Sequence, residues 1–261
     1  MPQNGSTFNL MTPGVKYLLM INIIMWLFDH TNQNLHLIGI DLFDYLALHY
    51  WESSTFNPAQ VITYMFMHDR TTLVHLAFNM FNLWMFGRMM EQNWGTSRFL
   101  MFFCICGIGG ALAQEASWTY LYAGKSTADL TIPFFGEDIT NNGTLSRFSI
   151  NGCKIDGLEN LRDFLLAFPT TVGASAGTFG IMVAFAMTFP NIPLYFFFIP
   201  FPIKAKYMIG FFIVLEVFEA LFRTGGLSDN VAHLAHLGGV LFGVLLILWW
   251  RKTGEDRGPL F

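Results

Sequence analysis

Three stretches of this chain place polar side chains inside apolar surroundings. They are "HLAFNMFNLWMFG" with His75 and Asn79, "TTVGASAGTFGIM" with Ser175, and "VAHLAHLGGVLFG" with His233 and His236. A serine hydroxyl is a poor nucleophile until a base takes its proton, and a neutral imidazole is suited to that task at physiological pH. The oxyanion that follows needs fixed donors, which an Asn amide, a second imidazole and a backbone N–H can supply. His75 and Asn79 are four residues apart and so share one helical face. Every part of a serine hydrolase is legible here except an acid.

The elements that must hold these groups follow from composition. Of 261 residues, 53 % are hydrophobic and only 12 % charged, about half the charge of an ordinary soluble domain. About six apolar runs approach the roughly 20 residues needed to cross a bilayer: Tyr17 to Phe28 with its flanks, Leu73 to Gln92, Phe99 to Ala123, Thr171 to Pro190, Ala205 to Phe222, and Val231 to Trp250. No stretch alternates with the period of two expected of a lipid-facing barrel strand. The expected fold is therefore all-α, a polytopic membrane helical bundle of about six transmembrane helices, forming a single domain over 1–261. Two long outer loops are expected, at about 29–72 and 124–170. Cys104, Cys106 and Cys153 show neither a disulfide framework nor metal-ligand spacing. The net charge of -4 offers no basic surface for nucleic acid.

The first run lacks a basic leader and a small-residue cleavage site, which reads as a retained helix. With the N-terminus inside, Lys16, Arg88, Arg98, Lys204, Lys206, Arg251, Lys252 and Arg257 fall on the cytoplasmic side, in short loops where the charge rule has force. Both termini are then cytoplasmic, and the expected setting is a bacterial inner membrane. The first outer loop, "LHLIGIDLFDYLALHYWES", mixes apolar and acidic residues at near-helical spacing, as a half-immersed interfacial segment would. In this topology the second, fourth and sixth runs all enter from the outer side. His75, Ser175 and His236 then lie within roughly 10 Å of the outer helix ends, at one depth.

Several other readings compete. Gly173 with Gly177, and Gly239 with Gly243, also fit small-residue helix packing. The letters Gly173-Ala174-Ser175-Ala176-Gly177 match the nucleophile turn of soluble hydrolases, and Asp229 and His236 follow in that fold's chain order. That turn needs a strand before the serine, and a chain built of apolar helix-length runs speaks against it. His75, His233 and His236 could ligate haem or a metal, but no acidic or sulfur ligand is evidently placed to complete such a site. Glu115, Glu216 and Glu219 could mark a transport path.

The three motifs together resemble the rhomboid family of intramembrane serine proteases. "HLAFNMFNLWMFG" is similar to its H-x-x-x-N motif, "GASAGTFG" to its G-x-S motif, and "AHLGGVLFG" to its A-H-x-x-G-x-x-x-G motif, with the resemblance running from about Lys16 to Trp250. The resemblance implies a Ser–His dyad with Ser175 as nucleophile and His236 as general base. His75, Asn79 and the Ser175 backbone N–H would line the oxyanion hole, and His68 would be the structural histidine before the second helix. Counting from His236 reaches Gly239 and Gly243, whereas the same count from His233 does not reach glycines, so His233 is expected to be replaceable.

The implied activity is cleavage of transmembrane segments of membrane-protein substrates, in the lipid bilayer, without metal or organic cofactor. A catalytically inactive rhomboid-like protein that binds membrane clients, or a polytopic transporter, is the alternative. The chain departs from the family at Ala176, where many members have Gly, and at Phe179, where some have Tyr. It also departs at Ala59 and Gln60, near the place of a Trp-Arg pair in the first loop, and in its long third loop. Natural substrate and oligomeric state are not encoded in any motif.

Overall fold

In the computed structural model the described residues are 11–35, 37–125, 148–150, 153–155, 158–167, 169–195, 201–222 and 232–254. Asp229 and most of the third loop lie outside them. Helix one spans Pro13–Leu35, with Pro13 at the first helical position, where its missing N–H costs nothing. Helix two starts at Leu73 under a Thr72 cap that accepts from the Val74 N–H at 3.1 Å. It passes through one π-helical turn at Leu83–Gly87 and ends at Trp94, stopped by Gly95 at φ 82°. Helix three is Thr96–Tyr122, helix four Ser175–Thr188, helix five Ala205–Phe222 and helix six His233–Thr253. Gly254, left-handed at φ 73°, closes helix six, and Arg251 and Lys252 in its last turn complement the negative end of the helix dipole.

Helix six packs along helices three and four, and this trio forms the centre of the molecule. Phe99, Phe102, Trp94 and Trp250 are buried together at one end, with Trp94 and Trp250 edge to face at 5.2 Å. Large apolar side chains point outward from the bundle, among them Ile21 and Ile24 on helix one and Phe211, Val214, Phe218 and Phe222 on helix five. Water would penalise such a continuous apolar surface, whereas lipid does not. Among the described residues, helices three and six are long and apolar enough to cross a membrane. Helix five has the length but carries Lys206, Glu216 and Glu219, and helix four, with 14 residues, extends only about 21 Å.

One sequence expectation changes in detail. The run expected to begin at Thr171 does not start as helix: Thr170–Thr171 is a short strand paired antiparallel with Leu48–His49, and helix four begins at Ser175. The β-branched threonines favour the extended backbone, and Gly173 at φ 121° turns the chain from strand into helix. The first loop is folded, as a half-immersed interfacial segment would be. It holds a five-residue helix, Leu42–Leu46, followed directly by the strand Leu48–His49. Gln60, at the place of the missing Trp-Arg pair, organises this loop by donating to Thr55 O at 2.9 Å and accepting from the His49 N–H at 3.2 Å. At the loop's outer edge the Arg70 guanidinium bonds Asp29 and Asp41, and this contact holds the Asp41 carboxyl below the usual carboxylate range.

A buried carboxylate ties helices one, two and three together. Glu91 accepts from the Gly14 N–H at 2.7 Å, the Val15 N–H at 2.8 Å, the Thr96 hydroxyl at 2.6 Å and the Thr12 hydroxyl. It satisfies the first-turn donors of helix one and sits at the positive end of that helix's dipole. Glu91→Ala should cost about 2–3 kcal/mol, because it strands buried N–H groups. The corresponding fall in thermal unfolding midpoint is roughly 6–10 °C in detergent, and an unchanged midpoint would contradict this role.

Candidate active site

Ser175 is the first residue of helix four, so its position follows from where that helix begins. The first intrahelical bond is donated by the Thr178 N–H to Ala174 O at 3.0 Å. The N–H groups of Ser175, Ala176 and Gly177 therefore precede the helical hydrogen-bond ladder, at its electropositive end. The strand, Gly173 and helix reproduce the local shape of a strand–serine–helix turn. The strand has only two residues and pairs with one other two-residue strand, Leu48–His49, so the sheet of a soluble hydrolase is not restored.

His236 lies in the first turn of helix six and comes to Ser175 from across the helix four–helix six contact. The two side chains are hydrogen-bonded, with His236 Nε2 and Ser175 Oγ 2.7 Å apart. Phe179, one turn beyond Ser175, stacks on the imidazole with ring centroids 4.6 Å apart and planes inclined by 15°. The aromatic ring at that position is thus kept on His236, without a tyrosine's hydroxyl.

His75 and Asn79 face the same place from helix two. Both line a cavity of about 650 Å³ together with Ser175, Phe179 and His236. Gly173 separates His75 from Ser175 by very little: a methyl group added there would sit 2.9 Å from His75 Nε2 and 3.5 Å from Ser175 Oγ. His75 Nδ1 accepts from the Asp69 N–H at 3.4 Å, which leaves the ring proton on Nε2, the nitrogen that faces Gly173. Asn79 donates one amide hydrogen to His75 O at 3.1 Å and keeps a second. His68 is fully buried with its ring centroid 5.2 Å from that of His75, so it supports the histidine that lines the cavity.

Glu216 is the residue that sequence reasoning misplaced. Its Oε2 lies 2.9 Å from His236 Nδ1 and 2.7 Å from His233 Nδ1. An acid is therefore present beside His236, and the expectation that none accompanies it is corrected. So is the expectation that no acidic ligand meets the histidines, since ligand atoms of Glu216, His233 and His236 lie within 4.8 Å of one another. Topology gave an approximate depth for Glu216 but not its partner. Glu216 stands six residues before the end of helix five and His236 three after the start of helix six, so for antiparallel neighbours with ends at similar depth they differ by about one turn. Cys104 and Cys106, on helix three, are free thiols.

A family model described as Rhomboid domain matches residues 55–252. Over 56 residues the chain is 39 % identical to the rhomboid protease GluP of Bacillus subtilis (strain 168). That alignment covers 22 % of this chain and 11 % of the relative, so the chain spans only a small part of the relative's length.

Proposed function

This chain belongs to the rhomboid family of integral membrane proteins, and we propose that it is an intramembrane serine endopeptidase acting through Ser175 and His236. The observation that carries the reading is the 2.7 Å contact between His236 Nε2 and Ser175 Oγ at the wall of a cavity. That distance is within the range for proton transfer to a general base. The protease named among the relatives supports the same reading.

The reaction follows from these atoms. His236 Nε2 takes the Ser175 proton as Oγ attacks the scissile carbonyl carbon, and the carbonyl π electrons move to oxygen. The oxyanion is met by the Ser175 backbone N–H, the His75 Nε2 proton and the free amide hydrogen of Asn79. His236 then gives its proton to the leaving amide nitrogen, the C–N bond breaks, and an acyl-serine remains. Water, deprotonated by the same imidazole, hydrolyses that ester and restores the hydroxyl. A carbonyl inside a helix is shielded by its own hydrogen bond, so substrates are transmembrane segments that unwind locally, helped by small or polar residues near the scissile bond.

The proposal includes a single membrane domain of about six crossings in a bacterial inner membrane, with both termini cytoplasmic. The basic last turn of helix six, Arg251 and Lys252, supports that orientation. A serine-directed fluorophosphonate tests the activity, because labelling needs an activated hydroxyl and not merely a pocket. Folded protein that resists the probe would move the reading to a client-binding relative. Asn79→Ala and His75→Ala should each retain labelling and lose cleavage by about 10²-fold in kcat, the loss typical of one oxyanion donor. Wild-type kcat in both variants would remove them from the oxyanion hole.

A further inference from the structure

A serine–histidine pair leaves the far nitrogen of the imidazole without an assigned task. In this protein that nitrogen is engaged. Glu216 Oε2, from helix five, lies 2.9 Å from His236 Nδ1 and 2.7 Å from His233 Nδ1. A carboxylate oxygen in such a position accepts, so each imidazole presents its N–H at Nδ1. For His236 this leaves the Nε2 lone pair facing the Ser175 hydroxyl, which can then donate across 2.7 Å. The opposite tautomer would set a lone pair against the carboxylate and an N–H against the hydroxyl.

We propose that Glu216 is the positioning residue of this site: it fixes the Nδ1–H tautomer of His236, holds its ring and stabilises the imidazolium formed during attack. The proposal rests on the Ser175–His236 reading above and extends it from a pair to a serine–histidine–glutamate relay. Three further observations point the same way. The Glu216 and His236 side chains are only 15 % and 10 % exposed, so the interaction is shielded from solvent. The base is braced from two directions, by the carboxylate on its edge and by Phe179 on its face. Finally, a carboxylate in an apolar helix is costly unless it is compensated, and here two imidazole N–H groups compensate it through one oxygen. His233 thereby gains a role as the second donor that pins the carboxylate. Because Glu216 belongs to helix five and His236 to helix six, the position of helix five sets the orientation of the base.

The experiment uses the full chain in vesicles of phosphatidylethanolamine and phosphatidylglycerol, with a fluorogenic transmembrane peptide and the fluorophosphonate probe. Glu216→Gln should lower kcat by up to about 10⁴-fold with KM unchanged, and should slow labelling of Ser175 in the same direction. Its thermal unfolding midpoint should stay near that of the wild type, and Glu216→Asp should recover part of the rate. A purely structural role would instead move the midpoint and leave the labelling rate of folded protein unaltered. Independently of any variant, ¹⁵N spectra of the wild-type protein should report a protonated Nδ1 and an unprotonated Nε2 in neutral His236.

Wild-type kcat and labelling in Glu216→Gln, or the reverse tautomer of His236, would overturn the role of Glu216 while labelled wild type and unlabelled Ser175→Ala left the hydrolase reading standing. A wild-type rate abolished by a chelator would assign the three donors to a metal ion and overturn it too. Wild-type protein that neither cleaves nor labels would sink both readings together.

Discussion

Ser175→Ala and His236→Ala are each expected to abolish cleavage, with kcat falling by about 10⁵- to 10⁶-fold, and the double variant should be no worse than either alone. The non-additivity follows from the geometry. Ser175 Oγ and His236 Nε2 share one hydrogen bond of 2.7 Å, so removing either atom breaks the proposed proton transfer. What remains is the weak assistance of the cavity and its donors. His233→Ala should lose far less, because its Nδ1 is directed to Glu216 and not to the hydroxyl. The decisive measurement is single-turnover cleavage by folded, membrane-inserted variants. An active His236→Ala beside a dead His233→Ala would mean that the base has been assigned to the wrong histidine.

Gly239→Ala should be the most damaging single methyl group in the membrane helices. A Cβ at that position would lie 2.0 Å from Ala176 O and 3.0 Å from Ala176 Cα, and backbone atoms cannot swing aside as a flexible side chain would. Helices four and six must then separate, at a cost of about 3 kcal/mol, the upper end of the usual range for overpacking. The thermal unfolding midpoint should fall by roughly 10 °C. Cleavage should fall even in protein that remains folded, since Ala176 adjoins Ser175 and helix six carries His236, so the same displacement stretches the serine–histidine contact. Gly210→Ala on helix five is the matched comparison. Nothing lies within 4 Å of the added methyl group there, and the substitution should instead stabilise the helix by about 0.5–1 kcal/mol. Equal behaviour of the two variants would show that helix contact is not what Gly239 provides.

The sequence alone determined the solvent and the main elements, because hydrophobic burial in lipid is written residue by residue. A run such as Ala205 to Phe222 coincides with helix five, and the cost of polar groups in such runs singled out His75, Asn79, Ser175 and His236. Three local motifs were enough to resemble the rhomboid family, and the family match over residues 55–252 agrees with them. The start of helix four was less legible, since the apolarity of Thr171 to Ala174 is equally compatible with strand, turn or helix. Pairing of Thr170–Thr171 with Leu48–His49, more than a hundred residues away in the chain, decided it.

Only tertiary structure decided the company of Glu216. In the sequence it is one of four acidic residues in the apolar runs, with Glu91, Glu115 and Glu219, alike in type and in the cost of burying them. Periodicity assigns a residue to a face of its own helix, but it carries no information on which neighbouring helix that face will meet. The packing of helix five against helix six supplies that information, and turns a carboxylate that reads as a mark of transport into the hydrogen-bond partner of both histidines.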